Sequence, residues 1–341
     1  ASGFQRNVTS GQQILRVSGF RAMNFRKDDR MKTKVYIDGQ SGTTGLQIYD
    51  RIGQREDLEL LRIPEALRHD SDERKKYLNS ADIVFLCLPD DGAREAVALI
   101  DNPAVRVIDA STAHRTNPDW TYGYPELSKE QRTAIRESKR VANPGCHATG
   151  FISTTAPLVK MGILPKDYPM SCYSLTGYSG GGKKMIAEYE AEGRSLLLDA
   201  PGIYGLSLHH KHLPEMQKIT GLTYAPVFMP VVDDYYKGMA TTIMLQNRLL
   251  PGQPSAEDIC RKLQEYYQDE HFVSVVPFGE NDSKLYANKL AGTNRLEIVV
   301  CGHEDQTSVT ALFDNLGKGA SGAAVQNMNI MLGLPEETGL E

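Results

Sequence analysis

The sequence predicts an α/β fold. A doubly wound parallel sheet comes first, followed by an α+β part whose sheet is mostly antiparallel. Three observations carry that expectation. Between residues 34 and 109 short apolar runs alternate with helical patterns, the signature of parallel strands joined by crossovers. Beyond residue 162 the strands lengthen and alternate, and they segregate from the helices. A chain of 341 residues is also long for one core, so two domains are expected.

Taken in order, Lys34–Asp38 is a short buried strand that runs into Gly39-Gln40-Ser41-Gly42-Thr43-Thr44-Gly45, after which Leu46, Ile48 and Tyr49 begin a helix. A second strand spans Leu58–Ile63. Ala81–Pro89 is nearly all apolar, as a parallel strand covered on both faces should be. A helix over Asp91–Ile100 and a strand over Arg106–Asp109 follow. Ala148–Met161 has a helical pattern that stops near Gly162. Met170–Tyr178, Met239–Gln246 and Arg295–His303 read as strands, and Glu257–Tyr267 as a helix with Ile259, Leu263 and Tyr266 inward. A last helix runs from about Lys318 to Leu332, with Ala324, Met328 and Met331 on one stripe.

Composition excludes several classes. At 40% hydrophobic and 24% charged this is an ordinary globular chain, and a net charge of −5 gives nucleic acid and anionic membranes no purchase. No run approaches the roughly 18 apolar residues of a spanning helix. The five cysteines are scattered without a Cys-x-x-Cys pair, which suggests neither a disulfide framework nor a zinc site and fits a reducing, cytoplasmic setting. Residues 1–30 carry six basic residues with no acid before Asp28 and no extendable period. They read as an expression leader or upstream extension, with an organelle-targeting peptide as the alternative.

The glycines at 39, 42 and 45 let the backbone turn tightly and approach a pyrophosphate. Their G-x-x-G-x-x-G spacing departs from the usual dinucleotide fingerprint, and a plain strand-to-helix turn is the competing reading. After the second strand, Arg68, His69, Ser71, Arg74 and Lys75 stand where an NAD site places an acid. That run suits a 2′-phosphate and so NADP, the competing reading being a solvated helix face. Ligands of such sheets bind beyond the carboxyl ends of the strands. The glycine turn, Pro89-Asp90, Ser111–Arg115 and Cys146 all fall there.

Cys146 opens a helix after Asn143-Pro144-Gly145, where free N–H groups and the helix dipole are expected to lower a thiol pKa. A buried, inert cysteine is the alternative. A thiolate there could take an acyl group as a thioester for a hydride to reduce. Asn143 and the Cys146 N–H are candidate oxyanion donors, and His209, His210 and His212 candidate acid–base groups. The histidine spacing lacks a partnering Cys or carboxylate pattern, so no metal is expected. Arg115, Lys183 and Lys184 could hold a carboxylate or phosphate.

Together the glycine loop, Asn143-Pro144-Gly145-Cys146, His210-Lys211-His212-Leu213-Pro214-Glu215 and Lys318–Asn329 resemble the N-acetyl-γ-glutamyl-phosphate reductases, within the aspartate-semialdehyde dehydrogenase superfamily. The resemblance covers residues 32–336 and fits the family's shorter, type 2-like subgroup. It implies a Rossmann-like NADP-binding domain from residues 31–147 plus 316–341, and a catalytic and oligomerisation domain over 148–315. Cys146 would be the nucleophile and His210 the acid–base, supported by Glu215, with His212 the fallback. Gly39, Ser41, Gly42, Thr43, Thr44, Gly45, Arg68, Ser71 and Asn327 would bind the cofactor, Asn327 lying near the nicotinamide. Ser111, Arg115, Lys183 and Lys184 would bind substrate. The reaction implied is NADPH-dependent reduction of the acyl phosphate to N-acetylglutamate semialdehyde and phosphate in arginine biosynthesis, by a homodimer or homotetramer. Two departures stand out: His147 replaces a common aromatic residue, and Ala113-His114 replaces an acidic–aromatic pair. His147 is not expected to be the base, since adjacent side chains on a helix diverge.

Competing readings are a reductase of aspartyl or aminoadipyl phosphate, a dinucleotide sensor without turnover, and a Cys–His hydrolase. The last leaves the first half of the chain unexplained.

Overall fold

The computed structural model describes residues 32–340, so the leader expected over 1–30 lies outside the described residues. The first sheet contains β1 (Thr33–Asp38), β2 (Leu58–Leu61), β3 (Ile83–Leu86), β4 (Arg106–Asp109), β5 (Thr121–Tyr122) and β6 (Arg140–Ala142). Its order is β2-β1-β3-β4-β6-β5 and every pairing is parallel. The connections carry α1 (Thr43–Ile52), α2 (Ser71–Ser80), α3 (Asp90–Ala98) and α4 (Lys129–Glu137).

The period of two along β1 explains its apolar run. Val35 and Ile37 pack with Ile48 and Ile52 of α1 on one face, while Tyr36 packs with Leu78 of α2 and Ala93 of α3 on the other. Both faces are covered, as the sequence predicts. The chain leaves β1 for β2 on one side and returns to β3 on the other, so a crevice opens at the carboxyl end of β1.

The second sheet has the order β11-β12-β13-β10-β7-β9-β8. Its strands are β7 (Ser171–Gly177), β8 (Gly202–Ile203), β9 (Val227–Asp233), β10 (Met239–Gln246), β11 (Val273–Val275), β12 (Leu296–Gly302) and β13 (Gln306–Phe313). β7–β9 and β11–β12 are parallel and the other pairings antiparallel. The remaining helices are α5 (Cys146–Lys160), α6 (Gly182–Tyr189), α7 (Leu213–Thr220), α8 (Ala256–Tyr267) and α9 (Gly322–Leu332). Phe151 and Ile152 of α5, Met216 of α7 and Ile259 and Leu263 of α8 bury against Ile243 and Val309 of the sheet. Helix α9 returns to the first sheet, where Ala324, Val325, Met328 and Met331 join the cluster on the α1 face.

Four sequence expectations shift. The second strand ends at Leu61, not Ile63, because Pro64 starts a 3-10 turn. β9 was not expected, since Pro230 within it removes a backbone donor, yet the strand pairs with β7 throughout. β13 was not expected either; the turn after His303 folds it back on β12. The last helix begins as a π turn, Gly317–Ser321, before α9.

Candidate active site

Cys146 stands at the first position of α5, directly after β6. Gly145 is the N-cap, and a Cβ there would lie 2.4 Å from both Arg115 Nη1 and His212 Nε2. Only glycine lets these two side chains close on the start of the helix. Glu215 sits behind the same turn. Its Oε2 accepts from the Gly145 N–H (3.2 Å) and the Tyr122 hydroxyl (2.9 Å), and its Oε1 accepts from Arg115 Nη1 at 2.7 Å. Arg115 spends its other donors on the carbonyls of Asn143 (3.0 Å) and Ala110 (2.9 Å).

A cleft of about 290 Å³ opens over the thiol. Thr43 and Thr44 of the glycine loop line it, with Asn143, Tyr204, His210 and Lys211. Burial pushes the Cys146 thiol above its ordinary value, against the pull of the His147 backbone N–H, Lys211 and Arg115. The expected lowering at a helix start is therefore reversed, because desolvation of the thiolate outweighs the N–H groups and cations around it.

The histidines separate by environment. His209 is exposed and bonds the Ser207 carbonyl (2.8 Å). His210 faces the cleft, and its Nδ1 accepts from the His212 backbone N–H at 3.3 Å, so its Nε2 carries the hydrogen when the ring is neutral. Burial, and secondarily Lys211, lower its pKa to about 4. His212 is buried, and its Nε2 lies 4.0 Å from Glu215 Oε1. Burial, then Arg115, push it well below its ordinary value. Glu215 thus stands nearer His212 than the support of His210 that the motif implied, and its main partner is Arg115. His147 also lines the cleft, its ring nitrogens bonded to Ser174 Oγ and the Tyr204 hydroxyl, each at 2.7 Å. Ser174 continues to Thr241 Oγ1 at 2.7 Å. The sequence gives no signal for this chain, since its members lie on four separate segments.

The glycine loop is a cradle. Gly39 has φ +85°, and a Cβ on it would meet the Cys87 carbonyl at 2.3 Å; one on Gly45 would meet the Gly39 carbonyl at 2.6 Å. Helix α1 starts on Gly42 with no side-chain cap, leaving its first N–H groups for a ligand. On one side a cleft of about 560 Å³ is lined by Gly39, Ser41, Arg68, His69 and Arg74. On the other, Gly42, Thr43, Thr44 and Lys183 line a cleft of about 290 Å³. The residues fit a dinucleotide laid across the loop.

The structure redistributes the other sequence-predicted residues. Arg68 pairs with Glu65 at 2.7 Å and reaches Ser41 Oγ at 3.3 Å. Arg74 is buried on Asp38 (2.9 Å) and Glu95 (3.1 Å), and Lys75 pairs with Asp101 at 2.6 Å. Ser71 opens α2 and is not among the residues lining the adjoining cleft. Ser111 is buried, its hydroxyl spent on Asp109 at 2.7 Å. Lys184 is exposed and lines none of the three clefts, whereas Lys183 stands by the glycine loop instead of the thiol. Asn327 is fully buried and donates to the Gly123 carbonyl (2.9 Å) and Asn143 Oδ1 (3.1 Å). It fixes the Asn143 amide, whose own Nδ2 donates to the Ala320 carbonyl at 3.0 Å. Tyr204 and Lys211, which sequence reasoning passed over as site residues, are among the side chains lining the cysteine cleft.

Residues 34–135 match the family described as semialdehyde dehydrogenase, NAD binding domain, and residues 146–315 match semialdehyde dehydrogenase, dimerisation domain. The chain belongs to the semialdehyde dehydrogenases. Among these, it is 47% identical over 320 residues to N-acetyl-gamma-glutamyl-phosphate reductase 2 of Nostoc sp., covering 91% of this chain and 99% of that one. It is 51% identical over 305 residues to N-acetyl-gamma-glutamyl-phosphate reductase 2 of Pseudomonas putida, covering 88% and 96%. The solved aspartate semialdehyde dehydrogenase II of Vibrio cholerae shares the semialdehyde dehydrogenase fold with a TM-score of 0.67 at 16% identity, covering 89% of this chain and 99% of that one. Among the described residues no group of three or more His, Cys, Asp or Glu is placed to hold a metal ion, and no helix is long and apolar enough to cross a membrane.

Proposed function

We propose that the chain reduces N-acetyl-γ-glutamyl phosphate to N-acetylglutamate 5-semialdehyde and phosphate with NADPH, through a thioester on Cys146. One observation supports this above the others: the cleft over Cys146 is lined jointly by the glycine loop and by His210. Cysteine, proton carrier and dinucleotide cradle share one space.

The thiol starts protonated, so His210, neutral at pH 7, takes its proton on Nδ1, in exchange for the 3.3 Å bond from the His212 N–H, as sulfur attacks the acyl carbon. The C–S bond forms, the bond from carbon to the phosphate oxygen breaks, and phosphate leaves with that proton. Lys211, with no ion-pair partner among the described residues, faces the departing charge from the cleft wall. When bound, NADPH supplies the hydride that reduces the thioester, with Gly39 to Gly45 under its pyrophosphate and Arg68 at the 2′-phosphate. The Asn143 amide and the first N–H groups of α5 stabilise the oxyanion on the reacting carbon. Cleavage of the C–S bond frees the aldehyde and returns the thiolate, which regains a proton through His210.

Arg115 and Glu215 position the turn, Arg115 also lining the cleft wall and Glu215 standing behind it. We assign domains at residues 31–147 plus 316–341 and 148–315, since α9 packs on the first sheet. The dimerisation-domain match and exposed Leu196, Leu197, Ile203 and Leu206 near the β8 edge support a homodimer or homotetramer. Five free thiols support a cytoplasmic setting.

The test runs in reverse. With N-acetylglutamate semialdehyde, NADP and phosphate, absorbance of the reduced cofactor should rise only when phosphate is present. Cys146→Ser should abolish the rise; undiminished turnover in that variant, or a preference for aspartate semialdehyde, would overturn the reading.

A further inference from the structure

The π turn that walls the cysteine cleft carries a lysine that the chemistry above does not use. Lys318 is fully buried, and its Nζ donates to Glu126 Oε1 and to Gln326 Oε1, each at 2.6 Å. It also lies 5.1 Å from the centre of the Tyr124 ring. Gln326 Nε2 donates to the same Glu126 oxygen at 2.9 Å, so three buried side chains close a ring. Alongside, Asn327 donates to the Gly123 carbonyl at 2.9 Å. Segments 123–126 and 317–327 are therefore clamped at two points.

What the clamp holds is the wall of the cleft. A Cβ on Gly319 would stand 3.0 Å from the Cys146 Cβ, and the Ala320 carbonyl accepts from Asn143 Nδ2 at 3.0 Å. These are the two residues after Lys318. A π turn has a wider, rarer hydrogen-bond pattern than the α-helix that follows it, so something must keep it from relaxing into α register. A buried ion pair is a poor source of net stability, because desolvation consumes most of the Coulombic gain; its clearest yield is a fixed geometry. We infer that Lys318 is a positioning residue, whose ion pair with Glu126 holds the π turn in register so that Cys146 and Asn143 face the acyl carbon correctly.

The inference rests on the assignment of Cys146 above for its turnover arm, and the test separates the two. Lys318→Met, Glu126→Gln and the double variant are compared for thermal midpoint, kcat, KM and the rate at which iodoacetamide alkylates Cys146. Lys318→Met strands a buried carboxylate and should lose both stability and kcat. The double variant removes both charges and should regain most of the stability, yet remain about ten-fold or more slower in kcat, with KM for NADP within about two-fold. Its Cys146 should alkylate at a rate altered by about three-fold or more. Glu126→Gln, which keeps shape and an acceptor oxygen but strands the Lys318 ammonium, should fall between wild type and the double variant in kcat and below the double variant in stability. If the single lysine variant does not fold, Glu126→Gln and the double variant carry the comparison. Recovery of stability and kcat together, with wild-type alkylation, would mean a merely structural pair and would overturn the inference. Alkylation needs no turnover, so it judges the clamp even if Cys146→Ser proves active.

Discussion

Arg115 Nη1 lies 2.7 Å from Glu215 Oε1, both side chains buried, one residue behind Cys146. The pair joins the loop after β4 to the first turn of α7, and each partner separately grips the turn that presents the thiol: Arg115 through the Asn143 carbonyl, Glu215 through the Gly145 N–H. Glu215→Ala would leave a guanidinium buried and uncompensated, which costs about 3–5 kcal/mol. Denaturant unfolding should show a loss of that size, with a smaller one for Glu215→Gln. A loss below about 1 kcal/mol, the range of exposed pairs, would contradict this.

The protonated state of Cys146 has a direct readout. Because burial holds the thiol above its ordinary value, alkylation by iodoacetamide should keep rising with pH past about 8.5, the ordinary thiol pKa, without levelling off below it. Lys211 pulls the thiol down, so Lys211→Met should slow alkylation at pH 8 by about two-fold or more and shift the profile to higher pH. A plateau near pH 7 would show a thiolate already formed.

How far the sequence carries is visible in these residues. The parallel sheet, the position of Cys146 at a helix start and the glycine cradle follow from local pattern, because each depends on residues adjacent in the chain. Pairings across long separations do not. Nothing local reveals that Arg115 is tied to Glu215, 100 positions away. The same holds for Asn327, which the motif suggests beside the nicotinamide and the fold locks onto Asn143 and Gly123. Thiol burial is likewise set by the whole cleft wall, including the π turn some 170 residues later.

Acid should destabilise the protein through its buried imidazoles. Burial, with smaller contributions from His210 and Lys211, lowers the His147 pKa to about 3, whereas in the unfolded chain it is about 6.5. Between those values the unfolded state binds a proton that the folded state does not, so the stabilisation is complete above about pH 6.5 and declines as pH falls. The limiting slope is about 1.4 kcal/mol per pH unit for this one group. Unfolding free energies from pH 7 to 5 should therefore fall more steeply in wild type than in His147→Gln. Equal slopes would remove His147 as a source of acid lability.

Cofactor preference tests the cleft beyond the glycine loop. Arg74 and Lys75 are neutralised by Asp38, Glu95 and Asp101, which leaves Arg68, paired with exposed Glu65, to meet a 2′-phosphate. Arg68→Ala should raise KM for NADP about ten-fold and leave KM for NAD nearly unchanged. A matched rise for both cofactors would place Arg68 elsewhere on the dinucleotide.

Gly145 is closely hemmed in beside the thiol, and substituting it tests whether the turn must be so close to its neighbours. An alanine Cβ would lie 2.4 Å from Arg115 Nη1 and from His212 Nε2. Arg115 cannot retreat without releasing Glu215 and two carbonyls, and His212 is buried. The start of α5 must move instead, taking Cys146 with it. Gly145→Ala should lose about 1–3 kcal/mol of stability, the usual cost of overpacking. Its kcat should fall about a hundred-fold, the scale of an ångström's misplacement of a reacting group. Measured KM for NADP should change little, because the glycine loop is untouched. A variant that folds stably and keeps wild-type kcat would show that the thiol tolerates displacement, and the close approach of Arg115 and His212 would then have no part in placing it.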